Sequence, residues 1–269
     1  MSGSLWGSVR RVGAMIERYV YLLKGSWPRI IELAYWPTMQ IILWGFLSEY
    51  LVHHSSYLAR ASGVLLAAVL LWDVMFRGQL GVSVVFFEEL YSRNLGHLFA
   101  SPLRAYELAS ALFVISLLRT LIGSGMAAVF AFWFYHFPIW RMGFVLVAFF
   151  MNLLIMGWAI GLVVAGLVLR YGLGAENLAW AAVFALAPVS GIYYPISVLP
   201  HWLQMVAEAL PAAYVFSAMR ALFFHHIILV RPLWEAAALN GVYLALGLGL
   251  FLRTFHNARL HGRLLNLGE

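Results

Sequence analysis

Long apolar stretches alternate with short polar segments along the whole chain. Most of the stretches are about 20 residues or longer, which is the length an α-helix needs to cross the hydrocarbon core of a bilayer. The pattern predicts an all-α polytopic membrane protein with six transmembrane helices in one transmembrane domain, residues 31–269. The predicted spans are 31–52, 58–80, 106–135, 142–169, 177–194 and 232–253.

The first 30 residues form a separate, amphipathic unit. Between residues 5 and 24, one helical side carries the apolar residues Leu5, Val9, Val12, Ile16, Tyr19, Val20 and Leu23, and the other side carries Arg10, Arg11, Glu17 and Arg18. Such a helix lies in the headgroup plane with its arginines on anionic lipid. We therefore expect residues 1–30 to be a cytoplasmic interfacial helix.

A polar interruption follows the second predicted span. Glu88, Glu89, Arg93 and Arg104 fall within residues 81–105, and Ser101-Pro102 ends the segment. The pattern predicts that this polar interruption lies outside the membrane.

The stretch from Leu186 to Phe224 starts as a span and is then broken. Pro188, Gly191 and Pro195 interrupt it, and Pro200 and Pro211 bound a short helix. In that helix His201, Gln204 and Glu208 share one face, opposite Leu203, Val206, Ala207 and Leu210. Non-helical backbone at membrane depth needs cover from protein or a water-filled path. We therefore favour a re-entrant, extracellular helical hairpin at about residues 195–224; the alternative is an extracellular loop with two surface helices.

Composition supports the membrane class and orients it. The chain is 64% hydrophobic and 10% charged, with mean hydropathy +0.87, whereas soluble domains carry about 25% charged residues. The net charge of +6 does not indicate nucleic acid, because the basic residues lie in short segments between spans. With the amino terminus inside, twelve basic residues, Arg77 among them, fall inside and four outside. This bias predicts that both termini are cytoplasmic. We expect the protein in the cytoplasmic (inner) membrane.

Charged residues inside predicted spans are candidate functional groups. Arg119 lies about 18 Å into the third span, and Asp73 lies in the second. Asp73, Glu49 or Glu235 could neutralise Arg119, either as a packing ion pair or at a substrate contact. The histidine pairs His53-His54 and His225-His226 lack metal-box spacing, so we predict no catalytic, cofactor or metal site.

Two apolar patterns concern packing. Gly157-x-x-x-Gly161 in the fourth span predicts a close helix–helix approach. Aromatic residues crowd the outer end of the third span, as an interfacial girdle or as a surface on which sugar rings stack: Phe130, Phe132, Trp133, Phe134, Tyr135, Phe137 and Trp140.

The broken stretch carries a family resemblance. The order P-x-S-G-x-Y-Y-P-x-S-x-L-P-x-W-L-Q-x-x-A-x-x-L-P-x-x-Y, followed by an arginine, resembles the signature after the fifth span of type-2 ABC exporter permeases. The residues that carry it as a gate are Pro188, Gly191, Tyr193, Tyr194, Pro195, Pro200, His201, Gln204, Glu208, Pro211 and Arg220. The family usually has a glutamate three residues before the arginine, and here that residue is Ser217.

The interruption after the second span resembles the coupling helix of the same family, a short helix that docks on a cytoplasmic ATPase, and the resemblance implies such a helix at about residues 81–101. The matching residues are Glu88, Glu89, Arg93, Gly96, Leu98 and Pro102, with Glu107 opening the next helix. The usual Gly-Thr-Leu-Glu is here Gly96-His97-Leu98-Phe99.

The resemblance implies the permease subunit of an exporter that moves an amphipathic substrate outward: a lipid, a lipid-linked glycan or a hydrophobic drug. It implies a homodimer or a pair with a paralogous permease, and two cytoplasmic ABC ATPase subunits that bind ATP and Mg²⁺. The chain itself has no P-loop, because its one lysine, Lys24, stands between Leu23 and Gly25. The alternatives are a membrane-embedded lipid- or glycan-processing enzyme and an ion-coupled secondary transporter.

Overall fold

The computed structural model describes residues 5–54 and 56–261, and this part of the chain is helical, without strands. The predicted ranges 1–30 and 31–269 also include residues 1–4, 55 and 262–269, which lie outside the described residues. The α-helices are α1 (Leu5–Lys24), α2 (Trp27–His54), α3 (Ser56–Tyr91), α4 (Leu95–Ala100), α5 (Ala105–Tyr135), α6 (Phe144–Tyr171), α7 (Leu178–Leu186), α8 (His201–Glu208), α9 (Pro211–His225) and α10 (Val230–His261).

Five of these helices, α2, α3, α5, α6 and α10, are long and apolar enough to cross a membrane. A sixth candidate is the pair α8 and α9, which meet at an angle of 95° and count as one broken span or as a re-entrant segment. The all-helical, polytopic fold class predicted from the sequence is thus confirmed.

Helices α3 and α6 form the centre of the bundle. Helix α3 packs against α2, α5, α6, α7 and α9, while α10 packs mainly on α6 and α9. Helices α1 and α2 both contact α5. Helix α2 therefore lies beside α3 and helix α10 lies beside α6, while α7 and α9 each contact both helices of the central pair.

The close approach of α3 and α6 depends on glycine. A Cβ atom on Gly157 would lie 2.5 Å from the carbonyl oxygen of Met75, and one on Gly161 would lie 2.8 Å from that of Gln79. No side chain larger than hydrogen fits such contacts without moving backbone. The close approach predicted for this glycine pair is confirmed, with α3 as the partner helix.

The second span does not end where the sequence predicted. The expected break at residue 81 is wrong: α3 continues to Tyr91, and the short helix comprises only Leu95–Ala100 instead of about 81–101. Asp73, Arg77, Glu88 and Glu89 of α3 are tolerated because each has a charged partner, as in the ion pair between Arg77 Nε and Asp73 Oδ2 at 2.7 Å. Arg77, counted above as a cytoplasmic residue, therefore lies within a membrane-length helix.

The fifth predicted span, 177–194, is also wrong as a single helix. Helix α7 has nine residues, about 13 Å at 1.5 Å per residue, which is too short to cross a bilayer. After Pro188 the chain turns, and Gly191 has a φ of +71°, a left-handed conformation that favours glycine.

Helix α1 forms over the predicted residues, but two of its arginines face the protein. Arg11 pairs with Glu107 and Arg18 with Glu89, while Met15 and Tyr19 are buried against the core that includes α5. The predicted placement of Arg11 and Arg18 on lipid is therefore wrong. Arg10 and Glu17 are exposed.

Candidate functional site

The helices α8 and α9 form a bent unit, here called the α8–α9 hairpin (residues 201–225), at the positions where proline bounds were predicted. Pro200 immediately precedes α8, and Pro211 is the first residue of α9. At the bend, the Tyr243 hydroxyl donates a hydrogen bond to the carbonyl oxygen of Ala209 at 2.7 Å. Tyr243 lies about 20 Å along α10 from Val230, so the bend sits far from the start of α10.

The buried face of α9 fixes the hairpin to the bundle. Ala212, Val215, Phe216 and Met219 are buried in a core with residues of α3 and α6, and the Phe216 and Trp72 ring centroids lie 6.3 Å apart. Helix α9 is thus an integral part of the core of the helical bundle.

The polar face predicted for α8 is divided between two environments. His201 and Glu208 are exposed. The Gln204 side-chain amide donates to the carbonyl oxygen of Leu199 at 2.7 Å, so it closes the turn before the helix.

On the opposite side of α8, Ala207 is buried and Leu203 and Leu210 are half-buried, which agrees with the predicted apolar face. Val206 is exposed instead, so its predicted packing against neighbouring spans is wrong within this chain.

Arg220 holds the turn between α7 and α8. Its guanidinium donates to the carbonyl oxygen of Gly191, and the Tyr194 hydroxyl donates to that of Pro188 at 2.7 Å. Within the described residues no carboxylate lies within ion-pair distance of Arg220. Its partner is therefore backbone, which fits the serine at position 217 where the family has a glutamate.

Tyr193 contacts the first span. Its ring stacks on Trp44 with centroids 5.1 Å apart, beside a cavity of about 110 Å³ whose lining includes Trp72, Phe76 and Phe184. Sequence reasoning missed Trp44, because an aromatic residue in an apolar span has no local pattern that distinguishes a packed position from a lipid-facing one.

The residues expected to dock an ATPase differ in exposure. The Glu89 side chain is 1% exposed and pairs with Arg18, and it also accepts from the Asn94 amide at 2.6 Å. Glu88 lies 3.3 Å from Arg29 and 3.9 Å from Arg119. Neither glutamate is a freely presented surface charge.

The rest of this segment, residues 92–104, presents a different surface. Arg93, His97 and Pro102 are exposed, Gly96 is half-buried, and Leu98 is buried.

The phenylalanine at position 99 accounts for one departure from the family pattern. The Phe99 and Phe255 ring centroids lie 5.3 Å apart in an edge-on arrangement. An aromatic contact with α10 thus replaces a charged residue at this position.

The charges inside the spans form local pairs. Asp73 accepts from Arg77 Nε at 2.7 Å and from the Ser124 hydroxyl at 2.8 Å. Arg119 lies nearest to Glu88, at 3.9 Å, so the partners suggested from sequence, Asp73, Glu49 and Glu235, are wrong. Glu235 pairs with Arg231 on its own helix.

The remaining candidates are peripheral. Trp133, Phe134 and Trp140 are exposed, while the Tyr135 hydroxyl donates to the carbonyl oxygen of Ile42 at 3.0 Å. His225 and His226 are exposed, and the side chains of His53 and His54 lie outside the described residues. In the described ranges no three His, Cys, Asp or Glu residues group as metal ligands.

Five long apolar helices with α3 and α6 at their centre, and a bent helical pair packed against them, define an integral membrane protein of the helical class. The chain matches the family model of the ABC-2 type transporter over residues 17–224, so it belongs to the ABC-2 type transporter family. The match includes residues 92–104 and nearly all of the α8–α9 hairpin. No curated protein matches the chain.

Proposed function

We propose that the chain is the permease subunit of an ATP-driven exporter that moves an amphipathic substrate outward: a lipid, a lipid-linked glycan or a hydrophobic drug. Two copies, or one copy and a paralogue, would enclose the path. Two cytoplasmic ATPase subunits would supply ATP and Mg²⁺ chemistry, since Lys24 is the one lysine and stands in no P-loop. Both termini would be cytoplasmic, in the inner membrane.

The observation that carries this proposal is the depth of the α8–α9 bend. The bend is tied to Tyr243, about 20 Å along α10, and the exposed Glu208 lies beside it. A carboxylate and broken backbone at such depth require water or a polar partner. This supports a re-entrant gate that lines a hydrated path at the contact between two permeases.

Coupling to the ATPase would use residues 92–104. Leu95 and Leu98 anchor α4 in the core, while Glu89 and Glu107 tie the adjacent ends of α3 and α5 to α1. A force applied to α4 would therefore move α1, α3 and α5 together. The exposed Arg93 and His97 are the proposed docking residues. Glu88 and Glu89 would instead transmit the movement through their ion pairs with Arg18, Arg29 and Arg119.

Placing negative charge at both exposed residues tests the dock. Arg93→Glu with His97→Glu should abolish co-purification of the ABC ATPase, identified by mass spectrometry, while membrane insertion stays intact. The matched control is Arg231→Glu, because Arg231 is 89% exposed at the start of α10. Unchanged co-purification by the double variant would contradict the dock, and wild-type membranes that yield no ATPase would contradict the proposed function.

A further inference from the structure

A cavity of about 320 Å³ lies where the end of α1, the start of α2 and the end of α3 meet the middle of α5. Its wall is largely apolar, formed in part by Leu23, Ile30, Leu33, Ile115, Leu118 and Ile122. This wall has the dimensions and chemistry for a hydrocarbon chain, but the cavity is not apolar throughout.

Three cations from three helices share the lining with one carboxylate. Lys24, Arg29 and Arg119 face a single glutamate, Glu88. The Glu88 carboxylate is divided between Arg29 at 3.3 Å and Arg119 at 3.9 Å, distances longer than the 2.7 Å of the Asp73–Arg77 pair.

The positive charge of the cavity is not balanced by the protein. Among the described residues no carboxylate lies within 4.0 Å of Lys24. Glu32 acts electrostatically on Arg119 without lining the cavity, and even with Glu32 included the cations outnumber the carboxylates. A guanidinium beside apolar side chains needs an anion, and here Arg29 and Arg119 share one carboxylate, so the lining favours a further negative group.

The position of the cavity indicates where that group comes from. Glu88 lies within the last turn of α3, which ends at Tyr91, and Lys24 and Arg29 flank the break between α1 and α2. Helix ends, a basic cluster and an amphipathic helix occur together at the level of lipid headgroups. The apolar wall continues from there along α5.

We propose that this cavity binds a phosphate-bearing, net anionic lipid of the leaflet in which α1 lies. The lipid phosphate would pair with Arg119, Arg29 and Lys24, and an acyl chain would lie along the isoleucine and leucine side chains of α2 and α5. Arginine and lysine are the side chains that bind phosphate through charge-assisted hydrogen bonds. The inference concerns binding alone and stands whether or not the chain exports a substrate.

Lys24 provides a direct probe, because it is the one lysine of the chain. The purified protein in neutral maltoside micelles is reacted with an amine acetylating reagent, and acetylation of Lys24 is followed by peptide mass spectrometry. Added phosphatidylglycerol should slow acetylation several-fold, whereas phosphatidylcholine and inorganic phosphate should not. Equal protection by inorganic phosphate would overturn the lipid assignment in favour of a simple anion site.

Variants separate the cavity from the micelle surface. Arg29→Gln with Arg119→Gln should require about tenfold more phosphatidylglycerol for the same protection, and Arg231→Gln should behave as wild type. Arg29→Gln alone, at the start of α2, serves if the double variant does not fold. The same protection in wild type and in the Arg29 variants would overturn the proposal.

Discussion

At the scale of single residues, the glutamates at the ends of α3 and α5 act as ties to α1. Glu107 is 1% exposed and accepts from Arg11 at 2.8 and 2.5 Å, and it also accepts from the backbone N–H of Arg104 at 2.9 Å. The hydrogen bond with Glu107 raises the pKa of Arg11, because it favours the charged guanidinium. A capping carboxylate of α5 thereby also attaches the amphipathic helix.

This tie gives a prediction with a neighbouring control. Arg11→Ala leaves the buried Glu107 carboxylate with one partner fewer and should destabilise the protein by about 2 kcal/mol, as measured by SDS titration from maltoside micelles. Arg10→Ala removes an exposed arginine of the same helix and should change stability by less than about 0.5 kcal/mol. Equal effects of the two substitutions would show that α1 is held by its apolar face alone.

The structural roles of prolines and glycines could be predicted from the sequence, because local backbone geometry demands them. The ion-pair partners of charged side chains could not. The prolines bounding α8 and the glycines of α6 follow from steric rules that act locally. The partner of Arg119 depends on how α3 and α5 are rotated and offset, because each residue of offset turns a side chain by about 100°. The sequence alone leaves that rotation open.

At the scale of elements, buried charge pairing explains why α3 was predicted to end too early. Two adjacent glutamates, Glu88 and Glu89, indicate a loop when the sequence around them is read without the helices that pack against it. Their partners Arg18 and Arg29 come from α1 and α2, so the helix can continue with its charges paired. The prediction of the fifth span failed for the opposite reason. The apolar stretch over residues 177–194 is long enough to cross a bilayer, but the break at Pro188 limits α7 to nine residues.

The packing of α3 against α6 predicts a difference between two glycines. Gly157→Ala places a methyl group 2.5 Å from the Met75 carbonyl oxygen and should cost about 1–3 kcal/mol through overpacking. Gly249→Ala in α10 meets nothing within 4 Å and should be neutral or stabilising by up to about 1 kcal/mol. Thermal unfolding in micelles compares them, and a destabilised Gly249 variant with an unaffected Gly157 variant would contradict the packing account.

The proposed gate is tested on two adjacent residues of α8. In this cysteine-free chain, Glu208→Cys should react from outside with a membrane-impermeant maleimide, because Glu208 is exposed beside the bend. Ala207→Cys should stay protected, since Ala207 is buried. Labelling of Glu208→Cys should increase when the ATPase partner turns over ATP; labelling that is equal at both positions and independent of ATP would indicate a surface loop.

At the scale of the whole molecule, helices α2 and α10 each expose apolar side chains on a different side of the bundle. Helix α2 exposes Trp36, Leu43 and Phe46, and the same helix carries Trp44, which stacks on Tyr193 of the turn after α7. Helix α10 exposes Val242 and Leu246 on the edge beside α6. Either edge could face lipid, but only the α2 edge adjoins the aromatic cavity shared with α7.

A second permease copy is therefore expected on the α2 edge. Leu43→Cys should form a disulfide-linked dimer in native membranes on mild oxidation, because the side chain is 61% exposed on that edge and a two-fold axis brings equivalent residues together. Leu246→Cys, which is 64% exposed on α10, should remain monomeric as the matched control. The readout is the dimer band on non-reducing gels, with the reduced sample as reference. Equal dimer yield at both positions would mean random collision in the membrane, and a dimer only through position 246 would move the interface to the opposite edge of the bundle.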